Sequence, residues 1–188
     1  MKKLFLITAI ALGGLSFQAC NSNQQASNNT EDTVDSLNDQ PYVATTDDGS
    51  EFLAETASSG MMEVELGKLA EEKAVNTKVK SYGAMMASDH TNASEELKTL
   101  AASKNVTLPG VPLKDDQDKI DDLKGKSGSD FDKAYINLMV DGHQKTIDSF
   151  EDATEQDKDP EVKAFAAKLL PTLRTHLESA KAIKDALR

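Results

Sequence analysis

The sequence predicts an all-α protein, a four-helix bundle with a long connection between helices two and three. Three observations support this prediction. Aromatic residues make up 5% of the 188 residues, Trp is absent and only five Pro occur, a composition that disfavours strand-rich folds. Four long segments carry apolar residues at spacings of three and four, which is the period of an α-helix. Short links join two pairs of these segments, whereas one long segment joins the pairs to each other.

The first nineteen residues have the pattern of a secretory signal. Lys2 and Lys3 precede a short apolar run, Leu4–Leu12, which is too short to span a bilayer as a stable helix. The single cysteine, Cys20, follows, and cleavage directly before it would resemble the processing of a bacterial lipoprotein. A general signal peptidase is the rival, but it requires small residues at both flanking positions, and the bulky Phe17 occupies one of them. Cys20 is therefore the predicted lipid attachment point.

Residues 20–50 are predicted to form a disordered tether behind the lipidated cysteine. Residues 21–50 carry six acidic groups, no basic group and few apolar ones, so they cannot bury enough surface to offset their ordering entropy. Asn21 follows the cysteine in place of Asp, which resembles the enterobacterial signal for the outer membrane. The sequence thus predicts a lipid anchor, with the protein on the outer membrane facing the periplasm. Several acyl chains would make that anchoring stable.

Charge and cysteine content exclude two classes of protein. The whole chain has a formal net charge of -11, and residues 51–188 carry 26 acidic and 19 basic side chains. No basic patch is available for phosphate contacts, so a nucleic-acid-binding protein is excluded. A single cysteine also excludes an internal disulfide framework and a multi-cysteine metal site.

The first hairpin of the domain at 51–188 is predicted from two segments. The first helix runs from about Ser50 to Lys73. The second runs from Thr77 to Lys104, with Asn76 as its N-terminal cap. Their apolar positions are Phe52, Met62, Leu66, Leu69 and Ala70 in the first, and Val79, Tyr82, Met86, Ala93, Leu97 and Leu100 in the second.

The segment from Asn105 to Gly128 is predicted to be a connection and not part of the core. It contains two prolines and three glycines, with room for one short helix near residues 115–123. The third long helix follows from Asp130 to about Gln156, capped by Ser129, and its inward positions include Phe131, Tyr135, Leu138, Met139, Thr146 and Phe150.

The fourth helix is predicted to start at Pro160, with Asp159 as its cap, and to continue to the C-terminus. Pro171 interrupts the helix and should kink it. Its apolar positions are Val162, Phe165, Leu169, Leu173, Leu177, Ala180 and Ile183. Two hairpins joined by a long middle connection describe a bundle of the ferritin-like kind.

Four ionisable residues fall on the inward faces of the four helices. Steps of three and four from apolar positions reach Glu63 on the first helix, His90 on the second, His143 on the third and His176 on the fourth. Each lies about midway along its helix, and mid-helix positions share one layer whichever way the helices run. We therefore expect these four side chains to converge at the centre of the bundle, where they form a candidate site for a metal ion or a small ligand.

Helices two and three repeat a short pattern around their histidines. Tyr82, Met86 and His90 have the same spacing as Tyr135, Met139 and His143. The methionines are candidate soft ligands. The sequence further predicts Tyr82, Tyr135, Asp89 and Asp141 as outer partners that orient the ligands rather than bind the ion directly.

The residue types leave two interpretations open. Glu63 and three imidazoles suit Zn(II) or another borderline divalent ion, and Cu(I) becomes more attractive if Met86 and Met139 join, because thioethers are soft ligands. The alternative is a buried polar network with no ion, in which the histidines bond only to carboxylates and hydroxyls. No Ser or Cys accompanies a His on the inward faces, so the protein is not expected to be an enzyme.

Several stretches resemble an uncharacterised bacterial family, domain of unknown function 4142. They are GMMEVELGKLAEEKA, VKSYGAMMASDHT, FDKAY, MVDGHQK and FAAKLLPTLRTHLESA, in that order along residues 51–187. The family pattern falls on Glu63, the pair Asp89 and His90, Tyr135, His143, Pro171 and His176. The resemblance implies a ferritin-like bundle and an exported or outer-membrane location, and it implies no activity.

The chain departs from the ferritin-like relatives that bind two irons. Those relatives use Glu-x-x-His motifs, whereas Ala87, Val140 and Leu173 precede the three histidines here by three positions. A di-iron oxidase centre is therefore disfavoured. The sequence predicts a lipid-anchored periplasmic bundle that binds Zn, Cu or a small ligand at a central Glu/His layer. The alternative is a structural or interaction module of the cell envelope, whose protein partner the sequence does not identify.

Overall fold

The computed structural model describes residues 49–187, which form an all-α, ferritin-like bundle as predicted. Its five helices are α1 (Ser50–Lys73), α2 (Thr77–Ser103), α3 (Lys114–Lys124), α4 (Gly128–Gln156) and α5 (Pro160–Ala186). The predicted signal, Cys20 and the predicted tether up to residue 48 lie outside the described residues. The helix α1 starts at Ser50, which is buried. No helix within 49–187 is both long and apolar enough to cross a membrane.

Two of the three predicted helix caps are confirmed. The Asn76 side chain accepts a hydrogen bond from the backbone N–H of Lys78 at 2.8 Å, and the Asp159 side chain accepts one from Glu161 at 2.8 Å. The prediction for Ser129 is wrong. The helix α4 begins earlier, at Gly128, because the N–H of Phe131 already bonds the carbonyl of Ser127 at 3.2 Å.

The proline inside the last helix does not end it. Pro171 lies within α5, which continues to Ala186. The predicted kink at Pro171 stays a prediction.

The short helix α3 corrects the prediction that the middle connection stays outside the core. Ile120 and Leu123 lie three residues apart on one face of α3, and both are buried among core residues of the long helices. The start of α3 is tied to α1, because the Ser58 hydroxyl accepts a hydrogen bond from the Leu113 N–H at 2.8 Å and donates one to Asp116. The connection therefore covers one side of the bundle.

The two helices of the first hairpin approach each other closely at a pair of glycines. A Cβ atom placed on Gly83 would lie 2.7 Å from the carbonyl oxygen of Gly67 and 2.7 Å from the Cβ of Ala70. A Cβ on Gly67 would lie 2.6 Å from the carbonyl oxygen of Gly83. Only glycine fits at these two positions without moving α1 away from α2.

We expect Gly83→Ala to lower the free energy of unfolding by about 1–3 kcal/mol, because the added methyl group overpacks the contact between α1 and α2. Gly142→Ala is the matched control, since a Cβ at this position in α4 would meet nothing within 4 Å. That control should stabilise the protein by about 0.5–1 kcal/mol through its higher helix propensity. Urea unfolding followed by circular dichroism measures both. Equal effects would contradict the close approach.

The buried apolar residues form two clusters along the bundle. The first core cluster includes Met62, Leu66, Tyr82, Met86, Ile120, Leu123, Phe131, Tyr135 and Met139. The second core cluster includes Leu53, Ala57, Leu97, Ile147, Phe150, Phe165, Leu170, Leu173 and Leu177. Phe52, predicted as a core residue, is only half-buried at the edge of the second cluster. A layer of buried polar side chains separates the two clusters.

Candidate metal centre

The buried polar layer consists of one side chain from each long helix, as the sequence predicts. Glu63 on α1, His90 on α2, His143 on α4 and His176 on α5 are all at most 8% exposed. The three imidazole ring centroids lie 5.4–5.7 Å apart. On each long helix, the period of 3.6 residues places the polar residue between members of the first and second core clusters. Packing of the two clusters therefore brings the four polar side chains together.

Each histidine has one ring nitrogen held by an oxygen acceptor. The Nδ1 atom of His90 lies 3.0 Å from Oε2 of Glu63, and the Nδ1 atom of His143 lies 3.0 Å from the Met139 carbonyl oxygen. The Nε2 atom of His176 lies 3.0 Å from Oδ2 of Asp89. Carboxylate and carbonyl oxygens only accept, so these three nitrogens carry the protons and donate. The contacts thereby assign the tautomer of each ring.

The opposite nitrogen of each ring is buried and has no partner. These atoms are Nε2 of His90, Nε2 of His143 and Nδ1 of His176. In the neutral form of each ring this nitrogen carries a free lone pair, and His90, whose pKa is raised despite burial by Glu63, has to release a proton to offer it. One nitrogen from each histidine lies within 4.8 Å of the other two. Tetrahedral coordination with bonds of about 2.0–2.1 Å requires nitrogen separations of about 3.4 Å, so the rings would have to approach by up to about 1.4 Å to hold one ion.

Burial and the neighbouring charges act in opposite directions on these groups. Burial raises the pKa of Glu63, but the charges of His90 and His143 and the hydrogen bond from His90 outweigh it and lower that pKa to about 2. Burial lowers the pKa of His90, yet the Glu63 carboxylate raises it further than burial lowers it. Burial lowers the pKa of His143 and of His176 despite their acidic neighbours. At neutral pH the layer therefore holds a buried anion beside two uncharged rings.

The predicted acidic residues take different places. Glu63 was predicted among the ligands, but its oxygens lie 3.0 Å and 3.5 Å from the Nδ1 atoms of His90 and His143, on the side of each ring opposite to the free Nε2. Asp89, predicted as an outer partner, bonds His176 on another helix and not its neighbour His90. Asp141 is exposed, and no hydrogen bond or ion pair within residues 49–187 joins it to the layer.

The predicted methionines and tyrosines line the first core cluster beside the layer. Met86 and Met139 are buried, and the contact from Met139 to His143 is made by its backbone carbonyl oxygen. The Tyr82 hydroxyl donates to the carbonyl oxygen of His176 at 3.3 Å, so it supports α5 next to the site. The Tyr135 hydroxyl is buried without a partner. Tyr135 stacks on Phe131 and meets Tyr82 edge to face.

A cavity of about 50 Å³ opens beside the layer on the side of the second core cluster. Glu63, Asp89, His90 and His176 are among the residues that line it. Its walls also carry the hydroxyl residues Thr56, Ser59, Ser94, Thr146 and Thr172. Sequence reasoning did not assign these hydroxyls to the site. The signal was present, because Thr56, Ser59 and Thr146 fall on the same inward stripes as Glu63 and His143.

Comparisons with known proteins relate the chain to uncharacterised families. The family model described as domain of unknown function (DUF4142) matches residues 24–183. No curated protein matches the chain. The fold is similar to a DUF305 fragment from Deinococcus radiodurans, with a TM-score of 0.63 and 14% identity over 73% of this chain and 95% of that one. It is also similar to DUF305 from Streptomyces coelicolor, named as a presumed secreted protein, with a TM-score of 0.61 and 12% identity over 74% of this chain and 94% of that one.

Proposed function

The chain belongs to the DUF4142 family, and from the geometry of its polar layer we propose that the domain binds one transition-metal ion between His90, His143 and His176. The family description names no activity, so the proposal rests on the site. The observation that carries it is the set of three buried, unpartnered ring nitrogens, one from each of three helices.

A purely structural network would not require this arrangement. Buried polar atoms in proteins are nearly always hydrogen-bonded, and each unpaired one is costly. Three such atoms on three neighbouring rings would be satisfied together by one partner that accepts three lone pairs, and a metal cation is such a partner. In metal sites the far nitrogen of a ligating histidine regularly donates to a carboxylate or carbonyl oxygen. Glu63, Met139 and Asp89 supply these acceptors.

The chemistry of the donors narrows the metal. Three neutral imidazoles suit Zn(II) and copper, whereas a site for Mg²⁺ or Ca²⁺ would offer oxygen ligands. The Glu63 carboxylate lies behind two of the rings and supplies a buried negative charge that a cation would neutralise. We propose Zn(II) as the preferred ion. Copper remains the second candidate because Met86 and Met139 lie buried beside the layer.

We also propose where the protein is located and that it is not an enzyme. We infer that the domain binds its ion without catalysing a reaction and is attached to the bacterial cell envelope through a lipid on Cys20. The N-terminal sequence pattern supports the envelope location, and so does the naming of the Streptomyces coelicolor neighbour as a presumed secreted protein. Together these inferences describe a periplasmic, lipid-anchored module that binds a metal ion.

Metal analysis of the purified full chain tests the proposed function. The protein is stripped with a chelator and titrated with Zn(II) and with Cu(I) under reducing conditions, and bound metal is measured by elemental mass spectrometry. We expect one ion per chain at micromolar concentration. Uptake of neither ion would overturn the proposal. It would favour the buried polar network, of which the contact between Glu63 and His90 would be a part.

A further inference from the structure

The cavity beside the histidine layer is not needed to hold the proposed ion on the three free ring nitrogens. Its lining includes His90, His176, Glu63 and Asp89, together with apolar side chains and hydroxyls. A volume of about 50 Å³ accommodates about three to five water molecules at 10–15 Å³ each. The cavity therefore has room for a small molecule next to the proposed ion.

Neither carboxylate that lines the cavity is free to act as a fourth donor, and the thioethers of Met86 and Met139 are soft ligands that suit Cu(I) rather than Zn(II) or Co(II). Glu63 and Asp89 are engaged with the protonated nitrogens, and the two nitrogens of one imidazole point away from each other. The other buried side-chain atom without a partner is the Tyr135 hydroxyl, whose ring is packed among aromatic residues of the first core cluster. A tetrahedral ion on three histidines would thus keep one open position.

We propose that this open position faces the cavity and binds an exchangeable small molecule with a nitrogen or oxygen lone pair and no negative charge. The inference rests on the proposed function, because it needs the ion on the three histidines. Two of those rings line the cavity, whereas His143 does not, so the ion would be reached from the side of His90 and His176.

The charge of the cavity selects the class of ligand. Two carboxylates line it, and no Lys or Arg is among its lining residues. Together the carboxylates of Glu63 and Asp89 balance the charge of a divalent ion, so an anion would gain little from the ion and would be repelled by both acids. A neutral donor meets no such repulsion and can also bond to the hydroxyls on the walls.

A pair of small probes tests this inference in the full chain loaded with Co(II), whose visible absorption reports its coordination. Imidazole at pH 8 is the neutral probe and azide is the anionic one. We expect imidazole to change the spectrum in a saturable way, and azide to bind at least about tenfold more weakly, which corresponds to about 1.4 kcal/mol. Equal or tighter azide binding would overturn the charge selection.

A variant that fills the cavity distinguishes this inference from the proposed function. Ala93 lines the cavity one turn after His90, and Ala93→Leu should abolish the imidazole response while one Co(II) per chain is retained. Ala93→Val is the smaller replacement if the leucine variant does not fold. Ala102→Leu, at an exposed position of the same helix, is the matched control and should respond like the original chain.

The experimental results distinguish failure of the open position from failure of the proposed function. Co(II) uptake with no response to imidazole, or an unchanged response in the filled variant, overturns the open position alone. Failure of the original chain to take up Co(II), Zn(II) or Cu(I) overturns the proposed function, and the open position with it.

Discussion

Replacing His176 by alanine is expected to lower the affinity of the protein for Zn(II) by about 100-fold or more. The substitution removes one of three donors, and loss of an outer partner alone costs about 10–100-fold in metal affinity. His176 is the best first choice because its partner Asp89 has a side chain that is 40% exposed and can bond to water instead. The helix α5 should therefore keep its place. Competition with a chromophoric chelator measures the affinity.

Two comparisons make the result specific. Glu178→Ala changes an exposed residue of the same helix and should leave Zn(II) affinity unchanged. Under the alternative of a buried polar network, His176→Ala would lower the free energy of unfolding by about 1–3 kcal/mol through unpaired groups, with no ion affinity to lose. Full Zn(II) affinity in the alanine variant would contradict the proposed ligand set.

Removing the Glu63 carboxylate is expected to have the second-largest effect, and on stability rather than on a ligand. In metal-free protein, Glu63→Ala leaves the Nδ1–H of His90 buried without its acceptor, which should lower the free energy of unfolding by about 3 kcal/mol. Loss of this outer partner should also weaken Zn(II) binding by about 10–100-fold. Denaturant unfolding at pH 7 and chelator competition provide the two measurements.

The pH dependence of the free energy of unfolding tests whether the negative charge of Glu63 causes this stabilisation. Its pKa is lowered from 4.5 to about 2 on folding, so the carboxylate stabilises the folded protein fully above about pH 4.5 and this stabilisation is lost as the pH falls towards 2. A shift of this size corresponds to about 3 kcal/mol. The variant Glu63→Gln keeps an acceptor oxygen but has no charge to titrate, and it should show a flatter acid limb than the original chain.

Glu65→Gln is the matched control for these experiments. Glu65 lies two residues away on α1, its side chain is 43% exposed and it pairs with Lys124 at the surface. Surface ion pairs contribute at most about 1 kcal/mol, so this variant should keep both the stability and the acid limb of the original chain. Identical acid limbs for the Glu63 and Glu65 variants would show that the Glu63 carboxylate beside the histidines does not cause the loss of stability in acid.

The sequence was sufficient to place the histidines in one layer. Steps of three or four lead from Val79 to His90, from Tyr135 to His143 and from Leu173 to His176, and Val79, Tyr135 and Leu173 are all buried in the bundle. Helical periodicity determines which face of a helix a residue occupies, so inward positions can be read without knowing the partner helix.

The pairing of acids with histidines could not be read in the same way. Asp89 precedes His90 in sequence but bonds His176 across the bundle, and Glu63 lies behind the rings instead of among the free nitrogens. Such choices depend on the rotation of each helix about its axis by a few tens of degrees. Periodicity does not specify this rotation. The same limit explains α3, whose two buried residues gave too short a pattern to predict its place against the core.

The polar layer between the two apolar clusters has a consequence for how the helices can align lengthwise. Sliding one long helix by a single turn, about 5.4 Å, would carry its histidine or Glu63 in among leucines and methionines. Sliding α2 would separate His90 from Glu63 and Asp89 from His176, and sliding α1 or α5 would break one or the other of these contacts. His143 would keep its acceptor Met139, which lies on the same helix, but would leave the other rings. The layer therefore fixes the lengthwise register of the four long helices, with or without a bound ion.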